Sequence, residues 1–227
     1  MSTVLIAGAN RGLGLEFTRQ YAEAGWSVIA TCRDPLNPGE LASLQGDIEV
    51  HSLDVTDFHG VEALANTLSG RAIDVLICNA GVYGPKPCSL GGIDYDAWAP
   101  VMRVNVYAPL NLCECFLPHV AKSDQKKIAV LSSKMGSMTD NTSGGSYIYR
   151  ASKAALNAVM KSLALDVRDQ DVAVAMLHPG WVRTDMGGPN GLIDAPESIS
   201  GMRAVIDGLG VDSSGGFFAY DGAPIPW

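Results

Sequence analysis

The sequence predicts an α/β fold: one domain over residues 1–227, built on a doubly wound parallel sheet of about seven strands with helices on both faces. Three observations predict it. Short apolar runs recur between longer amphipathic segments along the whole chain. The runs are rich in Val, Ile and Leu and do not alternate with polar residues, which marks strands buried on both faces. A glycine-rich turn follows the first run and opens a helical pattern. With 227 residues, 47% of them hydrophobic, the chain can bury a large core.

The elements follow in order. The strand-like runs are Val4–Ala7, Ser27–Thr31, Ile48–Leu53, Ile73–Cys78, Lys127–Leu131, Val172–Leu177 and Phe217–Tyr220. Helical periodicity falls between them, at 13–24, 57–69, 96–121, 147–169 and 196–208. Strand, helix, strand repeated in this way implies right-handed crossovers and a parallel sheet. Ligands in such sheets bind beyond the carboxyl ends of the strands, so the chemistry is expected just after each run.

Composition excludes several function classes. The net charge is −8 and no run is rich in Lys or Arg, which argues against nucleic acid as a partner. The five cysteines form no Cys-x-x-Cys pair and the four histidines are scattered, so metal-ligand spacing is absent and no metal is expected. An odd cysteine count suits free thiols in a reducing, cytoplasmic setting. The start, "MSTVLIAGANRG", has no basic leader, and its apolar run is too short for a signal peptide or a membrane span.

After the first run comes "GANRGLG", with Gly8, Gly12 and Gly14. Glycines at such spacing allow a tight turn, close approach of a phosphate and close packing of the next helix. The helix starting near Gly12 would aim free N–H groups and its positive dipole end at an anion. The spacing G-x-x-x-G-x-G resembles that of the short-chain dehydrogenase/reductase family, and later strings agree in order. They are "LDVT" with Asp54, "CNAG" with Asn79, "VNV" with Asn105, "LSSKMGS", "YRASK" and "HPGWVRTDM". Cys78 stands where the family more often has Asn. The strings "DNTSGG", "YRASKAALN", "HPGWVRTDMGG" and "IPW" look most like the C-factor-like and sniffer-like carbonyl reductases within the family.

The resemblance implies a Rossmann fold and a bound dinucleotide. Gly8, Asn10, Arg11, Gly12, Leu13 and Gly14 would hold it in the first turn. Arg33 would contact it after the second strand, Asp54 and Val55 after the third, and Asn79, Ala80 and Gly81 after the fourth. Pro179, Gly180, Val182 and Thr184 would do so after the sixth, beside Tyr149 and Lys153. It also implies that Asn105 breaks its helix locally to hold a water that relays protons to Lys153.

The segment "SYIYRASK" contains two tyrosines, Tyr147 and Tyr149, and the chemistry needs one. Carbonyl reduction requires a proton donor to the oxygen, and a tyrosine serves if a nearby cation pulls its pKa down. Residues four apart on a helix share a face, about 6 Å apart along the axis. Tyr149 and Lys153 have that relation and Tyr147 does not, so Tyr149 is the expected acid. Ser133 is the expected hydroxyl donor to the substrate carbonyl, with Ser137 and Ser132 as rivals. The gap to Tyr149 exceeds the family's usual one by about three residues, absorbed in the glycine- and serine-rich "TDNTSGGS". Tyr147 is expected either to line the substrate mouth with Tyr83, Trp181 and Met186 or simply to pack.

By the same resemblance, neutral Cys32 occupies the position where NAD-preferring folds carry an acid at the end of the second strand. Arg33 and Arg11 could clamp a 2′-phosphate, so NADP(H) is expected over NAD(H). Asp34 is the objection; the residue before Pro35 is pushed into an extended turn, which carries its carboxylate away. The loop "RTDMGGPNGLIDAPE" has no cluster of Lys or Arg, which suits a small uncharged carbonyl or alcohol substrate. Apolar helices at 107–121 and 149–168 suggest a homodimer or homotetramer. Two functions stand: an NADP-dependent carbonyl reductase, or a dinucleotide-binding signal or sensor of the C-factor kind in which turnover is secondary.

Overall fold

A computed structural model describes residues 1–86 and 88–227. Each apolar run forms a strand: β1 (Thr3–Ala7), β2 (Ser27–Cys32), β3 (Ile48–Ser52), β4 (Val75–Cys78), β5 (Lys127–Leu131), β6 (Ala173–His178) and β7 (Gly216–Ala219). They make one sheet in the order β3-β2-β1-β4-β5-β6-β7, every pair parallel. The helices are α1 (Gly12–Glu23), α2 (Phe58–Thr67), α3 (Trp98–Met102), α4 (Ala108–Ala121), α5 (Tyr147–Asp166) and α6 (Ala195–Asp207).

Alternation along each strand divides the core into two layers. Val4 and Ile6 of β1 pack with Phe17 and Tyr21 of α1 and Met202 and Ile206 of α6. Leu5 and Ala7 face the other way, with Leu64 of α2, Leu112 and Phe116 of α4, and Leu156 and Met160 of α5. Because β1 pairs with β2 on one side and β4 on the other, the winding reverses between β1 and β4. A crevice opens at such a reversal beyond the carboxyl ends of the strands.

The helical stretch expected at 96–121 is interrupted. Residues Arg103–Tyr107 form a π-helical turn between α3 and α4. Ala108 donates its N–H to the Arg103 carbonyl, five residues back. Pro109 has no N–H to give the Asn105 carbonyl four residues earlier, so the α-register cannot continue through this point.

Two further features carried no signal in the sequence. Beyond β7 the chain folds back along the sheet edge: Ala219 N–H donates to Ala223 O (2.8 Å) and Ile225 N–H to Phe217 O (2.8 Å). Trp227 then stacks on Phe217, with ring centroids 5.8 Å apart. Its carbonyl accepts from Thr139 N–H (2.9 Å) and Ser137 Oγ (3.2 Å), so the long segment before α5 docks on the returning tail. The apolar faces of α4 and α5 also differ from expectation. Leu112, Phe116, Leu156, Met160 and Leu163 are buried in this chain's own core, and the outer side of α5 presents Ala158 and Leu165.

Among the described residues no helix is long and apolar enough to cross a membrane, and no group of His, Cys, Asp or Glu could hold a metal ion. All five cysteines are free.

Candidate active site

A cleft of about 320 Å³ runs along the carboxyl ends of β1, β2, β3, β4 and β6, and is walled at one end by α5. The turn after β1 forms its floor. Gly8 (φ +80°) and Gly12 (φ +54°) take left-handed backbone that other residues adopt at a cost. Gly14 has a different reason: a Cβ there would lie 2.0 Å from the Gly8 carbonyl oxygen, so only glycine lets α1 approach β1 this closely. Asn79 Nδ2 donates to Gly8 O (2.8 Å) and Ala7 O (3.3 Å), tying the turn after β4 to the turn after β1. No side chain caps the N-terminus of α1, so its first N–H groups are free for an anion.

At the far end lie Cys32 and Arg33, with Asp54, Val55 and Thr56 opposite. The Asp54 carboxyl is held below its usual range first by Thr56, whose N–H and hydroxyl both bond Oδ1, and further by Arg33 and Arg103. Asp34 is turned away from the cleft. Its two oxygens accept from Leu36 N–H (3.1 Å) and Asn37 Nδ2 (2.8 Å) inside its own turn. Arg11 departs from the expected pair of free arginines: it bonds Asp185 Oδ2 at 3.2 Å, bridging the glycine turn to the loop after β6.

At the near end are Tyr149 and Lys153 on α5, one turn apart and both on the cleft wall. Tyr149 is 8% exposed. Burial pushes its phenol up to about 12, with the nearby Ser133 hydroxyl pulling the other way and Tyr83 adding to the rise. Lys153 is drawn down to about 8 by burial alone, while its Nζ donates to the Leu131 carbonyl at 2.8 Å. Nζ lies 5.9 Å from the Tyr149 ring centroid. The expected lowering of the tyrosine by its cation is therefore reversed, because desolvation acts on both groups and dominates.

The geometry separates the three serines. Ser132 Oγ donates to Asn157 Oδ1 (2.6 Å) and Ser137 Oγ to the Trp227 carbonyl, so both hydroxyls are committed elsewhere. Ser133 faces the Tyr149 phenol. Its loop lies directly on α5, since a Cβ on Gly136 would come 2.8 Å from the Lys153 carbonyl carbon. Asn105 is fully buried beside them. Its Nδ2 donates to Val82 O (2.8 Å) and Ser152 Oγ (2.9 Å), and its Oδ1 accepts from Val82 N–H (2.9 Å). The side chain thus ties the turn after β4 to α5, and Pro109 was the sequence signal for the irregular helix around it.

The other expected residues fall into two sets. Leu13, Asn10, Ala80, Gly81, Pro179, Thr184 and Met186 line the cleft. Gly180 (φ +85°) turns the chain after β6, and Val182 is buried and bridges to Ile193, so both shape the wall from behind. Trp181 folds onto its own loop, donating Nε1 to Gly187 O at 2.8 Å. Tyr147 is 37% exposed and Trp181 51%, and neither is on the cleft wall. Tyr83 stacks on Tyr149, a contact between residues 66 apart that no local pattern signals.

Residues 2–191 match the short chain dehydrogenase family. The chain is 44% identical over 167 residues to the C-signal of Myxococcus xanthus, an alignment covering 74% of this chain and all of that one. Its fold superimposes on the carbonyl reductase Sniffer of D. melanogaster with a TM-score of 0.91 at 33% identity, covering 100% of both chains. The NADPH-bound carbonyl reductase from chicken fatty liver gives 0.89 at 33% identity, covering 100% of this chain and 99% of that one.

Proposed function

The chain belongs to the short-chain dehydrogenase family, and from that premise we propose that it reduces a small uncharged aldehyde or ketone with NADP(H), Tyr149 serving as general acid. The observation that carries this reading is the placing of Tyr149 and Lys153, with Ser133 close to the phenol, at one end of a cleft whose floor is an uncapped helix start and a glycine turn. That cleft fits a dinucleotide. Gly8, Gly12 and the free N–H groups of α1 would receive the pyrophosphate with Thr184, and Asp54 and Val55 would flank the adenine. Neutral Cys32, Arg33 at the rim and the Asp34 carboxylate turned away from the cleft favour a 2′-phosphate over a bare ribose hydroxyl.

When bound, the reduced nicotinamide would supply the hydride to the carbonyl carbon. The residues of the chain manage the proton and the geometry. Ser133 donates a hydrogen bond to the carbonyl oxygen, and Tyr149 donates the proton that completes the alcohol. Burial keeps the phenol protonated at neutral pH, the form a reduction requires. Lys153 lies one turn along the same helix face, where its ammonium would hold the ribose of a bound dinucleotide and would place positive charge beside the tyrosinate left behind. Asn105 keeps the turn after β4 fixed against α5.

The test is NADPH oxidation with a panel of aldehydes, ketones and quinones. Tyr149→Phe is expected to lower turnover by a factor of about 10² or more while NADPH binding persists. Unchanged turnover in that variant would refute the acid. A second reading, a dinucleotide-binding signal protein, draws on the likeness to the C-signal. The pairing of Tyr149 with Lys153 one turn along α5 disfavours it, because a sensor has no need of a proton donor at this place. Micromolar NADPH binding with no turnover of any panel compound would reverse that preference.

A further inference from the structure

Tyr83 and Ser146 hold an arrangement that local structure does not explain. Ser146 occupies the N-cap of α5, where serine normally accepts a bond from the first turn of its helix. Here it makes no such bond, and its backbone is left-handed (φ 48°, ψ 38°), a conformation unfavourable for a residue with a side chain. Its hydroxyl instead bonds the Tyr83 hydroxyl at 2.8 Å, and its N–H donates to the Cys88 carbonyl at 2.8 Å. The Tyr83 ring in turn stacks on the Tyr149 ring, with centroids 4.4 Å apart and planes within 20°. Lys86 Nζ lies 4.1 Å from the same Tyr83 centroid. A serine in the preferred capping position thus forgoes its cap and accepts a strained backbone to anchor one ring, and that ring lies flat on the phenol beside Ser133.

We propose that Tyr83, anchored by Ser146, is a positioning residue for Tyr149: by covering one face of the ring it hinders the swing about χ1 that would carry the hydroxyl out of the cleft. This rests on the reading of Tyr149 as the proton donor. The Tyr149 hydroxyl lies on the χ2 axis and moves only when the side chain swings about χ1, and the bonds of Lys153 to Leu131 and of Asn105 to Val82 and Ser152 do not restrain that swing. The Tyr83 ring, stacked on one face of the phenol at 4.4 Å, blocks that swing. Tyr83 therefore acts on proton transfer through Tyr149, and not as a loose ring at the substrate mouth.

The experiment measures kcat and KM separately for NADPH-dependent reduction of the most active panel carbonyl, with thermal midpoints recorded for every variant. Tyr83→Leu removes the stack and is expected to lower kcat about tenfold or more, the size of an aromatic pair's contribution, with KM for the carbonyl changed less than about twofold. Tyr83→Phe keeps the ring and loses the anchor, and is expected to recover kcat to within about threefold of wild type. Ser146→Ala is expected to match Tyr83→Phe, and the double variant to be no worse than either, since both remove one bond. Nitration of Tyr149 by tetranitromethane, read by peptide mass, should be slow in wild type and fast in Tyr83→Leu. A Tyr83→Leu enzyme with wild-type kcat and nitration and only a raised KM would overturn the proposal. Tyr149→Phe in the same assay separates the two claims: if it is inactive while Tyr83→Leu is not, the positioning role alone falls.

Discussion

Replacing Arg33 by alanine tests the cofactor preference at its most exposed point. Arg33 stands at the rim of the cleft beside Cys32, close enough to Asp54 to help hold that carboxyl down. A guanidinium on a phosphate makes charge-assisted bonds worth roughly 1.5–3 kcal/mol each. Because Arg33 is exposed, solvent and salt screen the pair, so the lower end applies and the loss is about tenfold in affinity for the 2′-phosphate. Arg11 has a competing partner in Asp185, 3.2 Å away. An exposed pair of that kind is worth about 0–1 kcal/mol, so Arg11 must give up that much to reach a phosphate. Arg11→Ala is therefore expected to reduce the NADPH preference by only about threefold, and Asp185→Ala to raise it by up to about fivefold. The assay is kcat/KM for NADPH and NADH on one carbonyl substrate, at low and high salt. Wild type should favour NADPH by at least about tenfold, Arg33→Ala should remove most of that factor, and high salt should shrink it. Equal use of NADH by wild type, or an Arg33→Ala ratio equal to wild type's, would refute the clamp and return Asp34 to the ribose.

Gly14→Ala would bring a Cβ to 2.0 Å from the Gly8 oxygen. The forced retreat of α1 should cost roughly 1–3 kcal/mol, less the ~1 kcal/mol that alanine gains in a helix, and should weaken NADPH binding measured by calorimetry; unchanged affinity and melting would contradict the close-packing argument. Lys153 is lowered to about 8 by burial, so between pH 8 and its ordinary value the unfolded chain binds the extra proton and folded stability rises with pH. Urea midpoints should accordingly move in favour of wild type over Lys153→Met as pH climbs through that window, and parallel curves would deny the shift. On α5, Leu156→Asp should prevent folding because Leu156 is fully buried, whereas Ala158→Arg on the outer side should fold and dissociate the expected dimer. Light scattering showing wild type already monomeric at micromolar concentration would remove the α5 interface.

Seven strands and their helices were legible in the sequence because a parallel sheet buries both faces of each strand, which leaves short runs such as "VLIA" and "VLIC" with no polar gap. The glycine turn was legible for a related reason. Positive φ at Gly8 and Gly12 and contact at Gly14 each demand a residue without Cβ, so the backbone requirement is written directly into residue type. The pairing of Tyr149 with Lys153 was legible too, since helix spacing alone places the two on the same face. What depends on distant parts of the chain left no such mark. The commitment of the Ser132 and Ser137 hydroxyls to Asn157 and the Trp227 carbonyl, partners 25 and 90 residues away, could not be read from local sequence. The shifts of Tyr149 and Lys153 come from burial, a property of the assembled core, and they ran against the expectation drawn from the pair alone. Arg11 with Asp185 and Tyr83 with Tyr149 are meetings across 174 and 66 residues, set by which strand ends the sheet order brings together. Sequence determined the scaffold and the pairing of Tyr149 with Lys153 on one helix face, because periodicity and backbone conformation are local. Tertiary structure decided their environment and partners, because desolvation and side-chain pairing exist only once the layers close.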